Sequence, residues 1–312
     1  MPHPLIAKFA SKFSGPRGPS RCIGLDAGTS TVRGVQLHRT GGQVEILQAE
    51  TEDLSPGLDA VQRAEAVQRL AQKLGCPEVP LVAAVGGPGT VLRRVSFPKM
   101  TSSELKAALT FEAEKHIPFK LDEVFFDFSI QGDRGSGQMD VILAAARREL
   151  VQELVELLAP CGAPLAVDLE MAALANAWEA VPAAGGEGVT GLIHIGDRGT
   201  VLDFIRGSQL EFAREITLRP VLQPSWEEWL SQCRSSFEFY EDQFGRRVEQ
   251  LVLSGGGACM AGFREWVQET SGLPVQAWDP LAGVPGSEQA GTAEARGALA
   301  VAVGSALRGF QP

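Results

Sequence analysis

The sequence predicts an α/β protein of two lobes that share one construction. Three observations lead to this fold class: the length of the chain, a β-β-β-α-β pattern near its start, and a second three-strand opening past its middle. The 312 residues exceed the usual size of a single domain, so each half is long enough to bury its own core. Hydrophobic residues make up 44% of the chain and charged residues 21%, which is typical of a folded protein.

The first lobe is predicted over residues 21–180. It opens with a strand, a tight turn and two more strands, and an amphipathic helix and a short apolar strand follow. Residues from about 90 to 146 form an inserted segment: a strand, a helix that begins at a capping box of Thr101 and Glu104, and a strand pair around a glycine-rich loop. A strand and a helix over residues 164–179 complete the lobe.

A run of small residues at 181–189 is predicted to link the two lobes. The second lobe is predicted over residues 189–291, and its three opening strands repeat the pattern of the first lobe. A long helix at about 225–244 follows these strands, and then a strand, a glycine turn and another helix. An alanine-rich helix at 292–308 ends the chain, and we expect it to pack back on the first lobe.

The net charge of the chain argues against a nucleic-acid partner. Its formal net charge is −10, whereas nucleic-acid binding needs clustered Lys and Arg that release counterions from phosphates. Residues 1–20 are an exception, because they carry basic residues without acids. We interpret this segment as a disordered leader that ends in Gly-Pro breakers; the alternative is contact with an anionic membrane surface.

Cysteine and histidine give no sign of a metal centre. The five cysteines form no CxxC pair and the four histidines show no ligand spacing, so we expect reduced, mostly buried thiols and no structural metal. The chain has no apolar run of membrane-spanning length and no signal peptide at its amino terminus. These features predict a cytoplasmic protein.

The first candidate binding site is the turn GLDAGTS at residues 24–30, between the first two predicted strands. Gly28 lets the hairpin turn tightly, and Thr29 and Ser30 offer hydroxyl and backbone N–H donors to a phosphate. Asp26, at the end of the strand, is a candidate to hold magnesium through water.

The second candidate is the turn IGDRGT at residues 195–200, where the second lobe begins. Its candidate residues are Gly196, Asp197, Gly199 and Thr200. If the two turns face each other across a cleft, they can hold one polyphosphate between them.

The third candidate is the glycine run at Gly255, Gly256 and Gly257, between a strand and a helix. A backbone without side chains can lie against a flat base and its ribose at this point. Each turn alone is a weak signal, since many strand-to-helix turns contain glycine. The order and spacing of the three turns carry more weight.

These three turns resemble the phosphate-1, phosphate-2 and adenosine motifs of the actin-like ATPases. Finer features are similar to the PilM family of type IV pilus assembly proteins, over residues 21–308. The similar stretches are CIGLDAGTSTVRGV from Cys22, EAEKHIPFKLDEVFFDF from Glu112, ILAAARRELV from Ile142, VDLEMAALANAW from Val167 and VLSGGGACMAGF from Val252.

The resemblance implies two actin-like, ribonuclease H-like lobes and a cofactor, ATP with Mg²⁺. It also implies that the inserted segment is a subdomain shared with the cell-division protein FtsA. The chain ends without the amphipathic tail expected of FtsA, which favours PilM. In this family a PilN-like inner-membrane protein inserts its cytoplasmic N-terminal tail between the inserted subdomain and the core of the first lobe.

Two positions and one stretch of the chain depart from the family pattern. His194 stands where the phosphate-2 motif usually has an Asp, and a neutral imidazole cannot replace a carboxylate near magnesium. The stretch between Thr217 and Leu251 has room for little more than one helix, so the subdomain that clamps the base is expected to be missing. Arg33 replaces a more frequent Lys and is either a phosphate contact or a solvated strand residue.

These observations leave three hypotheses of function. The first is a cytoplasmic scaffold at the inner face of the inner membrane, which binds a PilN-like tail and other pilus assembly proteins, reaches the membrane only through its partner and responds to weak ATP binding. The second is a degenerate actin-like protein that keeps the binding surface and has lost the nucleotide. The third is a small-molecule kinase or active ATPase with Asp168 or Glu170 as its base, which lacks a visible substrate lid.

Overall fold

A computed structural model describes residues 18–182, 188–220 and 223–311, with only the backbone considered at residues 223 and 224. The predicted basic leader lies outside the described residues, except for its last three positions. Most of the predicted link at residues 181–189 lies outside them as well.

Twelve helices and strands form the first part of the chain. They are β1 (Arg21–Ala27), β2 (Thr31–Thr40), β3 (Gln43–Asp53), α1 (Ala60–Lys73), β4 (Leu81–Val85), β5 (Thr90–Pro98), α2 (Ser102–Glu112), β6 (Val124–Gly135), β7 (Gln138–Arg147), α3 (Arg148–Leu158), β8 (Ala166–Leu169) and α4 (Glu170–Ala180). The remaining described elements are β9 (Val189–Ile195), β10 (Thr200–Arg206), β11 (Gln209–Ile216), α5 (Gln223–Phe244), β12 (Val248–Ser254), α6 (Phe263–Ser271), β13 (Val275–Ala277), α7 (Ala293–Gly297) and α8 (Ala300–Arg308).

Two five-stranded sheets repeat one topology. The first has the strand order β3-β2-β1-β4-β8 and the second the order β11-β10-β9-β12-β13. In both sheets the three opening strands are antiparallel and the last two strands run parallel to the first of the lobe. The central strands β1, β4 and β9 are buried at every position except Arg21, because both of their faces are covered, as in other α/β folds.

Local sequence signals fix the ends of the helices. The side chain of Asp59 accepts a hydrogen bond from the backbone N–H of Gln62 and caps α1. Thr101 and Glu104 form the predicted capping box at the start of α2, where Thr101 N–H donates to Glu104 Oε2 at 2.7 Å.

The inserted residues form a separate three-stranded sheet of order β5-β7-β6. Helix α2 packs on it through Leu105 and Leu109, beside Phe97 and Leu143 of the sheet. Strand β5 also contacts the second lobe, because Arg94 Nη1 donates to the carbonyl of Leu210 on β11 at 3.3 Å. The inserted sheet therefore adjoins both lobes.

Helices α4 and α8 lie between the two large sheets. The inner faces of both sheets belong to one hydrophobic core, which includes Leu192, Val201 and Ile205 of the second lobe. Trp178 of α4 donates its indole N–H to the carbonyl of Gly207 at 3.0 Å. The outer face of the second sheet has a separate, aromatic core under α5 and α6.

The last helix packs more closely than its sequence alone suggests. Helix α8 contacts β1, β2, β4 and α4 of the first lobe. A Cβ atom at Gly304 would lie 1.7 Å from the carbonyl oxygen of Ala173, and one at Gly24 would lie 1.8 Å from that of Ala302. Backbone lies directly on backbone at these two crossings.

The stretch predicted as one helix at 292–308 is two helices, and on this point the prediction was wrong. Helix α7 ends at Gly297 and α8 begins at Ala300. The carbonyl of Gly297 accepts a hydrogen bond from the backbone N–H of Gly255 at 3.0 Å. Because this carbonyl binds the glycine turn, it does not continue the helix.

Between β11 and β12 the described chain contains a single helix, α5. This agrees with the limited room seen in the sequence. None of the described helices is both long and apolar enough to cross a membrane.

Candidate functional site

Two turns from opposite lobes meet in the cleft between the large sheets. One joins β1 to β2 and contains Gly28, Thr29 and Ser30; the other joins β9 to β10 and contains Asp197. Oδ2 of Asp197 accepts hydrogen bonds from the backbone N–H of Ser30 at 2.9 Å and of Thr31 at 3.1 Å. The two turns predicted to hold a polyphosphate between them are therefore in direct contact.

Gly28 allows this contact. A Cβ atom at position 28 would lie 2.5 Å from Oδ2 of Asp197 and 2.6 Å from the carbonyl oxygen of Thr31. A side chain at this position would displace either the Asp197 carboxylate or the backbone of the first turn. Thr29, the predicted hydroxyl donor, is exposed beside them.

A small cavity with charged walls lies next to the turns. Its volume is about 20 Å³, which is the space of about one water molecule. Four charged side chains of the cavity form two ion pairs: Arg33 lies 3.9 Å from Asp26, and Arg198 lies 3.3 Å from Glu170. The cavity is lined by Asp26, Gly28, Arg33, Glu170, His194, Gly196, Asp197, Arg198 and Gly199.

Burial dominates the ionisation of the two carboxyl groups in the cavity. It raises the pKa of Asp26 to about 7, assisted by the negative charge of Glu170 and opposed by Arg33. Burial likewise raises the pKa of Glu170 to about 6, and Arg198 opposes this shift. Both carboxyl groups therefore hold their protons to a higher pH than exposed carboxyl groups do.

The pKa of Asp197 is shifted in the opposite direction. Its burial opposes the charged form, but the hydrogen bonds from Ser30 and Thr31 and the nearby Arg33 outweigh that effect and hold its pKa below the usual value. Asp197 is therefore a carboxylate over the whole physiological range. It supplies a full negative charge to the two backbone N–H groups.

His194 is a buried, neutral imidazole. Its Nδ1 lies 3.0 Å from the hydroxyl oxygen of Ser254, and burial lowers its pKa to about 3. The residue that replaces the usual Asp thus contributes no charge to the cleft.

Thr200, at the end of the second turn, faces the interior of its own lobe. The hydroxyl of Thr200 donates to the carbonyl of Leu218 at 3.1 Å and accepts from the indole N–H of Trp229 at 3.0 Å. Gly199 is packed so that a Cβ atom would lie 2.5 Å from the carbonyl oxygen of Ile216. Gly196 N–H donates to the carbonyl of Gly199 at 2.9 Å and closes the turn.

The third glycine run lies against the end of β9. A Cβ atom at Gly255 would lie 2.4 Å from the carbonyl oxygen of Ile195, and one at Gly257 would lie 2.2 Å from the Ile195 side chain. Gly256 faces Arg33, whose Nη2 would lie 3.2 Å from a Cβ atom there. Packing between β9 and this turn is thus sufficient to explain two of the three glycines.

Sequence reasoning missed two residues of this site. Arg198 pairs with Glu170, and Glu215 on β11 accepts hydrogen bonds from the N–H of Gly87 at 2.8 Å and the hydroxyl of Thr90 at 3.2 Å. The position of Arg198 next to Asp197 in the turn was a usable signal. No local pattern marks Glu215, because its partners are far away in the sequence.

The repeated sheets and the cleft define the class of protein, and solved structures agree. A protein with an actin-like ATPase fold from Bacteroides thetaiotaomicron matches with a TM-score of 0.52 and 10% identity, covering 84% of this chain and 91% of its own. The ethanolamine utilization protein EutJ from Carboxydothermus hydrogenoformans matches with a TM-score of 0.52 and 14% identity, covering 94% and 91%. The predicted actin-like fold is confirmed.

The comparisons also identify the family, which is a smaller group than the set of proteins that share this fold. The family model of the type IV pilus assembly protein PilM matches residues 24–219 and 217–310, so this chain belongs to the PilM family. A chain of the PilM-PilN type IV pilus biogenesis complex is 26% identical with a TM-score of 0.80, covering 93% of this chain and 99% of its own. The resemblance seen in the sequence is confirmed, and the family match divides where β11 gives way to α5.

ATP with Mg²⁺ is the cofactor that the fold implies, and the cleft does not fit it. One of the donors expected to hold its phosphates, the N–H group of Ser30, already donates to Asp197, and so does the neighbouring N–H group of Thr31. Asp26, the predicted magnesium residue, faces Arg33, and the cavity is far smaller than a nucleotide.

Proposed function

We propose that this protein is a scaffold without enzymatic activity in the inner-membrane platform of a type IV pilus or a related secretion system. It works at the cytoplasmic face of the membrane and binds the N-terminal tail of a PilN-like membrane protein. One observation carries this proposal: the similarity to a chain of the PilM-PilN complex extends over 93% of this chain, with a TM-score of 0.80.

The seam between the inserted sheet and the first lobe supports the proposed tail-binding site. Two half-buried aromatic rings lie there beneath exposed arginines: Arg148 lies 4.6 Å from the ring centre of Phe125, and Arg147 lies 5.2 Å from that of Phe119. Phe125 packs against the first core and Phe119 against the core of the insert. An extended peptide with apolar side chains suits such a boundary between two packed units.

The alternative of a kinase or active ATPase has little support in the geometry. Asp168 is buried, and its oxygens accept hydrogen bonds from Leu169 N–H at 2.9 Å and Asn176 Nδ2 at 3.3 Å. Glu170 is paired with Arg198. Each candidate base thus has a structural partner, and a base needs access to the hydroxyl that it deprotonates.

A binding measurement tests the scaffold. A synthetic peptide of the cytoplasmic tail of a PilN-like protein from the same genome is titrated into the full-length protein by calorimetry. We expect saturable binding with one peptide per chain, and we expect Phe125→Ala to weaken it at least about tenfold, because an aromatic anchor is lost. A second variant, Arg148→Ala, removes the cation that lies over Phe125 and leaves the aromatic ring itself in place.

Phe239→Ala is the matched control. Phe239 is 43% exposed on α5, in the other lobe. We expect the affinity of the Phe239→Ala protein for the tail to equal that of the wild type. Lack of binding by the wild-type protein, or equal loss in Phe125→Ala and Phe239→Ala when both are folded by circular dichroism, would contradict the proposal.

A further inference from the structure

The contact of Asp197 with the first turn has the chemistry of a bound phosphate. Consecutive backbone N–H groups in a turn form a concave donor site that binds anions. In this chain the N–H groups of Ser30 and Thr31 converge on one carboxylate oxygen, at 2.9 and 3.1 Å. The anion comes from the opposite lobe, so the same two hydrogen bonds also join the lobes.

A cation of the protein occupies the other half of the cleft. Arg33 lies 3.9 Å from Asp26 and reaches toward Gly256, where its Nη2 would lie 3.2 Å from a Cβ atom. Its side chain is only 14% exposed. The cleft thus contains both an anion at the donor site of the first turn and a cation beside the acidic strand end, and both belong to the chain itself.

We propose that Asp197 is an internal ligand of the Ser30–Thr31 anion site, where it replaces a phosphate group and holds the two lobes together without nucleotide. This inference concerns the cleft and is independent of where the PilN-like tail binds. It predicts a nucleotide-free protein in which the lobes are permanently linked.

Charge and geometry favour the internal ligand over an external one. An incoming phosphate has to displace a carboxylate that is tethered next to its donors and therefore has a high effective concentration. It is also repelled by the negative charge of Asp197, whereas the charges of Asp26 and Glu170 are offset by their partners Arg33 and Arg198. Removal of the Asp197 carboxylate exposes both donors and lowers this repulsion.

Two further contacts also join the two lobes. They make it possible to separate the effect of loosening the lobes from the effect of exposing the anion site. Arg198 pairs with Glu170, and Glu215 binds Gly87 and Thr90. Neither of them touches the N–H groups of Ser30 or Thr31. Arg198→Ala is therefore a matched control, because it lies in the same turn and loosens the lobes without uncovering the anion site.

The test combines hydrogen exchange with anion binding on the full chain. In nucleotide-free wild-type protein we expect the amides of Ser30 and Thr31 to be protected, and we expect Asp197→Ala to lower their protection at least about tenfold. Calorimetry with inorganic tripolyphosphate, and separately with Mg-ATP, is expected to detect at least about tenfold tighter anion binding by Asp197→Ala than by the wild type. Arg198→Ala should show neither change.

Asp197→Asn provides a second variant that keeps the shape of the side chain. We expect intermediate protection, because an amide oxygen still accepts hydrogen bonds but carries no charge. Unchanged exchange of Ser30 and Thr31 in Asp197→Ala would overturn the proposal. So would Mg-ATP binding by the wild type at least as tight as by Asp197→Ala, or a variant that binds no anion more tightly than the wild type.

Discussion

Arg198 places its guanidinium 3.3 Å from the carboxylate of Glu170, so that two adjacent residues of one turn, Asp197 and Arg198, bind the first lobe with opposite charges. Asp197 contacts backbone donors, whereas Arg198 contacts a side chain at the start of α4. This turn therefore contributes two polar links to the interface between the lobes, and the two links can be measured separately.

Removal of Arg198 should destabilise the protein in a pH-dependent way. Arg198→Ala leaves Glu170 without its cation, and we expect the free energy of unfolding to fall by about 1–2 kcal/mol at about pH 8, between the values of exposed and buried ion pairs. At about pH 5 the loss should be smaller because Glu170, whose pKa is raised to about 6, is mostly protonated. Urea denaturation at both pH values measures the difference.

The exposed pair of Arg264 and Glu265 serves as a control for that measurement. Arg264→Ala should change the free energy of unfolding very little at either pH, because exposed ion pairs contribute little. An equal effect of the two substitutions would show that the Arg198 pair has no special role.

The buried carboxyl groups predict that the protein is more stable in mild acid than in mild base. Burial raises the folded-state pKa of Asp26 to about 7 and that of Asp168 to about 6, and it raises the pKa of Asp203 well above its usual value. Between the unfolded and folded pKa values the folded chain holds protons that the unfolded chain has released. The free energy of unfolding should therefore decrease as pH rises from about 4 through about 7.

Asp203 offers a direct check of that trend. Both of its carboxyl oxygens are buried on β10 and have no hydrogen-bond partner among the described residues. Asp203→Asn removes the ionisable group at nearly constant volume, so thermal unfolding of this variant should depend less on pH than that of the wild type. A wild-type melting temperature that rises steadily from about pH 5 to about pH 8 would contradict the sign of the prediction.

The crossing of α8 over α4 should not accept even one additional carbon atom. A Cβ atom at Gly304 would lie 1.7 Å from the carbonyl oxygen of Ala173, so we expect Gly304→Ala to lower the free energy of unfolding by about 3 kcal/mol or more. Gly196→Ala is the control, since a Cβ atom there meets nothing closer than 3.7 Å. Denaturant midpoints that are equal for the two variants would rule out the tight crossing.

Local patterns were sufficient to predict much of the fold. The repeat of three strands, the capping box at Thr101 and the glycine turn at Gly28 follow from periodicity and from residues with special backbone preferences. The break between α7 and α8 was not predictable in this way. It depends on a hydrogen bond between Gly297 and Gly255, which are distant in the sequence.

The candidate site shows the same limit more clearly. The sequence indicated that Asp197 lies in a turn near the cleft, but the direction of its carboxylate depends on how the two lobes approach each other. Thr200 was also predicted to belong to the site, but its hydroxyl group is hydrogen-bonded to Leu218 and Trp229 within its own lobe. A motif fixes which residues reach a cleft, whereas tertiary packing decides which of them face it.

The most direct measurement is the affinity of the PilN-like tail for the wild-type protein with and without an excess of Mg-ATP. If the lobes are held by Asp197 and the protein is a nucleotide-independent scaffold, the two dissociation constants should agree, because a ligand that does not bind has no coupling free energy with the tail. A change of about tenfold or more, which corresponds to a coupling of about 1.4 kcal/mol, would contradict this and show that nucleotide sets the conformation of the scaffold.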